Sequence, residues 1–181
     1  MALNSEIVLG GTGGQGLILA GQILADAAIK DGKNALQTQS YGPEARGGSS
    51  KAEVIISDGE IDYPKVLKPD ILLVMSQEAF NKYADNLEEG GFLIIDTTFV
   101  KDNVPTGPRI FAAPYTRIAK DNLGKEMFAN IVALGAIAAI TGIVSKDSLL
   151  KALFSRIPAG TEELNQKALE LGWDSVAKQA N

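Results

Sequence analysis

The sequence predicts an α/β fold, and three observations carry the prediction. Apolar runs of strand length alternate with segments of helical periodicity over the first two thirds of the chain. A glycine-rich turn separates the first such pair, and the last third is helical only. At 181 residues, 45% hydrophobic and 22% charged, the chain is long enough to bury a core as one domain, residues 1–181, without disulfides or metals. The expected architecture is a three-layer, Rossmann-like domain with a mostly parallel sheet, covered on both faces, and a C-terminal helical region.

Taken in order, "EIVLGG" (Glu6–Gly11) reads as a buried parallel strand. "LILAGQILADAAIKDG" (Leu17–Gly32) is helical, because Leu17, Ala20, Leu24, Ala27 and Ala28 recur at three- and four-residue steps and Gly32 supplies a stop. "KNALQTQ" (Lys33–Gln39) then completes a βαβ unit. "KAEVIIS" (Lys51–Ser57) and "DILLVM" (Asp70–Met75) give the third and fourth strands. "SQEAFNKYADNL" (Ser76–Leu87) is a helix with a serine cap and with Ala79, Tyr83 and Leu87 along one face.

"GGFLIID" (Gly90–Asp96) is a strand opened by a glycine pair, and "VKDNVPTGPR" (Val100–Arg109) is a loop leading into the short strand "RIFAA" (Arg109–Ala113). Tyr63–Pro64 and Pro114–Tyr115 read as loop anchors. "MFANIVALGAIAAITGIV" (Met127–Val144) has about the length that spans a bilayer. Asn130 and Thr141 interrupt it, however, and Gly135 and Gly142 dilute it, so it reads as a helix buried on all sides. "SKDSLLKALFSRIP" (Ser145–Pro158) and "TEELNQKALELG" (Thr161–Gly172) each begin at a hydroxyl cap and end near Pro or Gly.

Composition narrows the chemistry. Cys and His are both absent, which removes cluster ligation, a thiolate nucleophile, ordinary zinc sites and imidazole acid–base work. A formal charge of −5 argues against nucleic acid as the main partner. The first residues, "MALNSEIVLGG", lack the basic and apolar regions of a signal peptide, and a cytoplasmic protein without membrane attachment is expected. Most of the reactive groups are then expected to come from a cofactor or another chain.

Two loops stand out as candidate sites. Gly11, Gly13 and Gly16 fit G-x-G-x-x-G between a strand and a helix, where glycines allow close backbone approach and a helix start welcomes an anion. Gly14 adds to the turn, and Gln15 at the helix start offers an amide to an approaching group. A dinucleotide site also needs an acidic residue about 20 residues on. Nothing acidic lies between Asp31 and Glu44, leaving dinucleotide, other anion or cofactor contact, and a purely structural turn as alternatives.

The second loop, within "QSYGPEARGGSSKAEV" (Gln39–Val54), leaves the same end of the sheet and holds Tyr41, Gly42, Glu44, Arg46, Gly47, Gly48 and Ser49. Arg46 suits two-pronged binding of a phosphate or carboxylate, and successive glycine amides suit an anion nest. A Glu44–Arg46 pair across a surface loop is the plainer alternative. For Asn130, a backbone contact stands against a cofactor contact.

"GGTGGQG", "LAGQILADAA", "QTQSYGPEARGGSSKAEVIIS", "IDYP", "PDILLVMSQEAF" and "ANIVALGA" (Ala129–Ala136) together extend over nearly the whole chain. In these segments the sequence resembles the gamma subunit of 2-oxoacid:ferredoxin oxidoreductases (the pyruvate, ketoisovalerate and 2-oxoglutarate family), most of all the 2-oxoglutarate type. The resemblance implies a subunit of a complex that oxidatively decarboxylates a 2-oxoacid to an acyl-CoA, with ferredoxin as electron acceptor. Thiamine diphosphate, Mg and iron–sulfur clusters are then expected on sibling alpha-, beta- and delta-type subunits, with none held by this chain. It implies no catalytic residue here. The two loops become candidates for contact with coenzyme A or with the thiamine-bearing subunit. A homodimer is allowed for the isolated chain. A stand-alone NAD(P)-linked reductase and a non-catalytic assembly module are the readings to be separated from it.

Overall fold

The structure is a computed structural model, and it describes residues 4–40 and 49–177. Six strands form one sheet: β1 (Asn4–Thr12), β2 (Asn34–Gln39), β3 (Ser49–Ser57), β4 (Ile71–Val74), β5 (Phe92–Asp96) and β6 (Ile110–Ala113). Their order is β2-β3-β1-β4-β5-β6. The β1–β4, β4–β5 and β5–β6 pairs are parallel, whereas β3 is antiparallel to both β1 and β2.

The sheet is thus mostly parallel, but one expectation is corrected. The first two strands do not pair, because β3 lies between them. Residues 40–48 are fewer than the dozen or so that a parallel crossover requires, so β3 returns antiparallel to β2.

Alternation along the strands sorts the core. Ile7, Leu9, Val54, Ile56, Ile71, Leu73 and Ile94 face a large helical layer, and Val8, Leu72, Val74, Leu93 and Ile95 face a smaller one. Helices α1 (Leu17–Lys30), α3 (Tyr115–Leu123), α4 (Ala129–Thr141), α5 (Lys146–Phe154) and α6 (Glu162–Ala177) build the large layer. The opposite face carries α2 (Gln77–Tyr83), extended by the 3₁₀ turn Ala84–Asn86.

Helix α3 has no counterpart in the sequence reading, which placed Pro114–Tyr115 in a loop. Tyr115, Ile118, Ala119 and Leu123 nonetheless repeat at helical steps, and Gly124, at φ 74°, closes the helix. Helix α4 is buried from Ala129 to Ala138. It packs so closely on α6 that a methyl group on Gly135 would collide with the Leu169 carbonyl, and one on Gly172 with that of Val132. Among the described residues, no helix is long and apolar enough to cross a membrane.

Asp31, at the end of α1, fastens the start of α5. Its carboxylate accepts the Ser145 amide N–H and hydroxyl, each at 2.6 Å. The Ser145 hydroxyl oxygen in turn caps α5 by accepting the Ser148 N–H. Partial burial works against the charge, yet the hydrogen bonds from Ser145 and Ser148 outweigh it and Lys33 adds to them, holding the Asp31 carboxyl below its ordinary value. A lowered pKa stabilises the fold above the unfolded-state value of 3.8, and the benefit is lost as pH falls through the folded-state value. Asp31→Ala is expected to lower the Tm by about 2–4 °C at pH 7, with the difference closing in acid melts taken below pH 3.8.

Candidate functional site

The carboxyl ends of β1, β4 and β5 share one end of the sheet, and the chain leaves β1 and β4 toward opposite faces. The gap between these two strands is therefore the switch point where open α/β sheets take their ligands. Here a side chain of the protein occupies it. Gln15 folds back so that its Oε1 accepts the Thr12 N–H at 2.8 Å, and its Nε2 donates to the Met75 carbonyl, just past β4, at 2.9 Å. The Met75 N–H donates to Gly10 O at 2.8 Å, closing the bridge between the strands.

The glycines are explained by what fills the space beside them. A Cβ on Gly11 would overlap the Gln15 amide and come 2.8 Å from Leu17 Cδ1. On Gly10 it would come 2.9 Å from the Tyr83 ring, on the other face. Gly16, at φ 72°, would place one 2.5 Å from Asn130 Nδ2, which donates to Gly16 O at 3.0 Å. Gly14, at φ 89°, has open space beside it. Asn130 therefore makes the backbone contact of the two alternatives, and its Oδ1 accepts the Ile131 N–H.

What remains open is a cleft of about 360 Å³ lined by Thr12, Gly13, Gly14, Gln15, Phe99, Thr116, Glu126, Met127 and Ala129. Helix α1 points its first turn toward this end of the sheet, with no acidic residue there and no side-chain cap. The far wall is set by Asp96, a fully buried carboxylate at the end of β5. It accepts the Thr98 N–H at 2.9 Å, the Thr116 hydroxyl at 2.5 Å and the Thr116 N–H at 3.2 Å. Sequence reasoning missed Asp96; an acid closing the apolar run "FLIID" was its signal. Phe99 and Met127 stand exposed at the rim, Met127 by 70%.

Ser49 pairs with Thr12, and Ser50 with Gly11, across β3 and β1. The start of β3 therefore lies beside the glycine loop, at the end of the sheet where β2 finishes. Ser49 is buried, and both of its polar groups are engaged: its N–H donates to Glu78 Oε1 at 3.1 Å, and its Oγ lies 3.4 Å from the Tyr83 hydroxyl. Tyr41, Gly42, Glu44, Arg46, Gly47 and Gly48 lie outside the described residues. Of the described candidates, Gly13, Gly14 and Gln15 line the cleft, whereas Gly11, Gly16 and Ser49 are packed within the chain. The amide of Gln15 holds the loop and is not directed outward to an approaching group. Among the described residues, no group of three or more acidic side chains is placed to hold a metal ion.

Residues 6–175 match the family described as pyruvate ferredoxin/flavodoxin oxidoreductase. The chain is 51% identical over 180 residues to 2-oxoglutarate synthase subunit KorC of Methanocaldococcus jannaschii, covering 98% of this chain and 96% of that protein. The crystal structure of a keto/oxoacid ferredoxin oxidoreductase gamma subunit from Geobacter sulfurreducens is 50% identical. It superposes with a TM-score of 0.85 over 96% of this chain and 99% of that one. A longer chain shares the fold, with a TM-score of 0.83 at 23% identity over 97% of this chain and 31% of its own length. It is a 2-oxoglutarate:ferredoxin oxidoreductase from Magnetococcus marinus with 2-oxoglutarate, coenzyme A and succinyl-CoA bound.

The geometry ranks the glycine substitutions. Gly11→Ala displaces the Gln15 amide and leaves the Thr12 N–H and Met75 carbonyl without partners, whereas Gly14→Ala meets only an unfavourable φ. In urea unfolding Gly14→Ala is expected to cost about 1 kcal/mol and Gly11→Ala about 2–4 kcal/mol. Equal costs would contradict the bridge.

Proposed function

The chain belongs to the pyruvate ferredoxin/flavodoxin oxidoreductase family, and from that premise we propose that it serves as the gamma-type subunit of a 2-oxoglutarate:ferredoxin oxidoreductase. In the complex, 2-oxoglutarate is oxidatively decarboxylated to its acyl-CoA and ferredoxin accepts the electrons. Thiamine diphosphate with its Mg ion, and the iron–sulfur clusters, reside on sibling alpha-, beta- and delta-type subunits. There they supply the carbanion and electron-transfer chemistry. With no Cys, this chain has no thiolate to ligate an iron–sulfur cluster.

Its own contribution is to shape the entrance for coenzyme A and the contact with the thiamine-bearing subunit. One observation carries this role: an open mouth of bare main chain at Gly13–Gly14, beside the uncapped first turn of α1, at the end of the sheet where β2 finishes and β3 begins. Backbone N–H groups and the Arg46 guanidinium suit the coenzyme's phosphates. The Gln15 bridge weighs against the NAD(P)-reductase alternative, since it fills the crevice a dinucleotide would enter.

Calorimetry of the isolated chain with NADH and NADPH is expected to show no binding at micromolar concentrations, and 2-oxoacid decarboxylation is expected only after reconstitution with the sibling subunits. In the reconstituted complex, Arg46→Ala is expected to raise the KM for coenzyme A about tenfold with assembly intact. Loss of assembly with an unchanged KM would favour the docking-module reading.

A further inference from the structure

Helix α2 holds both edges of the mouth. It starts two residues after Met75, whose carbonyl accepts a hydrogen bond from the Gln15 amide. Ser76 caps it, accepting the Ala79 N–H at 3.1 Å. In the first turn Glu78 Oε1 accepts the Ser49 N–H, and at the last residue the Tyr83 hydroxyl meets Ser49 Oγ. The Tyr83 ring lies against Gly10, the β1 residue whose carbonyl accepts the Met75 N–H. Lys51 and Lys82 place their ammonium groups 5.8 and 5.4 Å from the ring centroid. The Lys51 ammonium is also paired with the Glu53 carboxylate at 2.5 Å. Tyr83 thus touches β1 through its ring and β3 through its hydroxyl, and the empty position at Gly10 is what admits it.

We infer that Glu78 and Tyr83 are positioning residues for the coenzyme A step, fixing Ser49 and the start of β3 relative to the glycine loop. This rests on the proposed function. Neither residue touches the cleft lined by Gly13 and Gly14. Their effect reaches the mouth through Ser49 on one side and through the α2–Met75–Gln15 connection on the other. A role in folding alone predicts lower stability with an unchanged coenzyme requirement. A positioning role predicts a coenzyme requirement that moves while the turnover at saturation stays.

The test uses the reconstituted complex carrying Glu78→Ala, Glu78→Gln or Tyr83→Phe, with Glu88→Ala as a control at the other end of the sheet. Glu78→Ala and Tyr83→Phe are expected to raise the KM for coenzyme A about fivefold each, with kcat within about twofold. Glu78→Gln keeps an acceptor for the Ser49 N–H and is expected to restore the KM, and the Glu88→Ala control should match wild type. An unchanged KM in Tyr83→Phe, which keeps the ring and the packing on Gly10, would overturn the inference even if Glu78→Ala fails to assemble. Equal KM values for Glu78→Ala and Glu78→Gln would also overturn it. If the wild-type complex oxidises 2-oxoglutarate without needing coenzyme A, the proposed function itself fails.

Discussion

The arrangement depends on one amide. Gln15 spans the gap between the ends of β1 and β4, accepting a hydrogen bond from Thr12 of β1 and donating one to Met75 just past β4. Each partner is a backbone group that would otherwise lie unpaired at a sheet end, so the side chain does for this crevice what a ligand does in a dinucleotide-binding fold. The requirement for glycine at position 11 follows, because the space of a Cβ there belongs to the Gln15 amide. The same logic repeats at Gly10 with Tyr83 and at Gly16 with Asn130. A loop whose pattern suits pyrophosphate is, in three of its positions, a set of sockets for the protein's own side chains.

That internal filling fits a subunit that works within an assembly. The large helical layer gives the sheet a rigid backing on one face, with α4 enclosed between the sheet and α6. The mouth carries exposed Phe99 and Met127 at its rim and, with no Cys or His in the chain, neither a thiolate nor an imidazole. Its wall is held by Asp96, whose buried carboxylate ties the turn after β5 to the first turn of α3. A firmly built surface without a thiolate or an imidazole suits the proposed role of completing a site that another chain begins.

Much of the fold was legible in the sequence, because the strands are apolar runs such as "DILLVM" and "GFLIID" and two of the helices, α2 and α5, carry serine caps at Ser76 and Ser145. The insertion of β3 between β1 and β2 was not read, since an antiparallel return is recorded in the length of residues 40–48 and not in any hydrophobic period. Helix α3 was missed because "YTRIAKDNLG" is short and polar and follows Pro114, although Gly124 marks its end. At the site, the glycine loop and its neighbourhood with β3 were legible. The inward turn of Gln15 and the engagement of Ser49 by Glu78 were not, because both depend on residues 29 to 60 positions away in the sequence.

The central claim is that the Gln15 amide closes the switch point in the free protein. Amide hydrogen exchange of the isolated wild-type chain, resolved by residue, tests it most directly. The Thr12 N–H, at the exposed end of β1, has the Gln15 Oε1 as its acceptor. Protection of Thr12 well above that of Gly14, lost in Gln15→Ala, is the predicted result. A Thr12 amide that exchanges as fast as Gly14 in the wild-type chain would contradict the account.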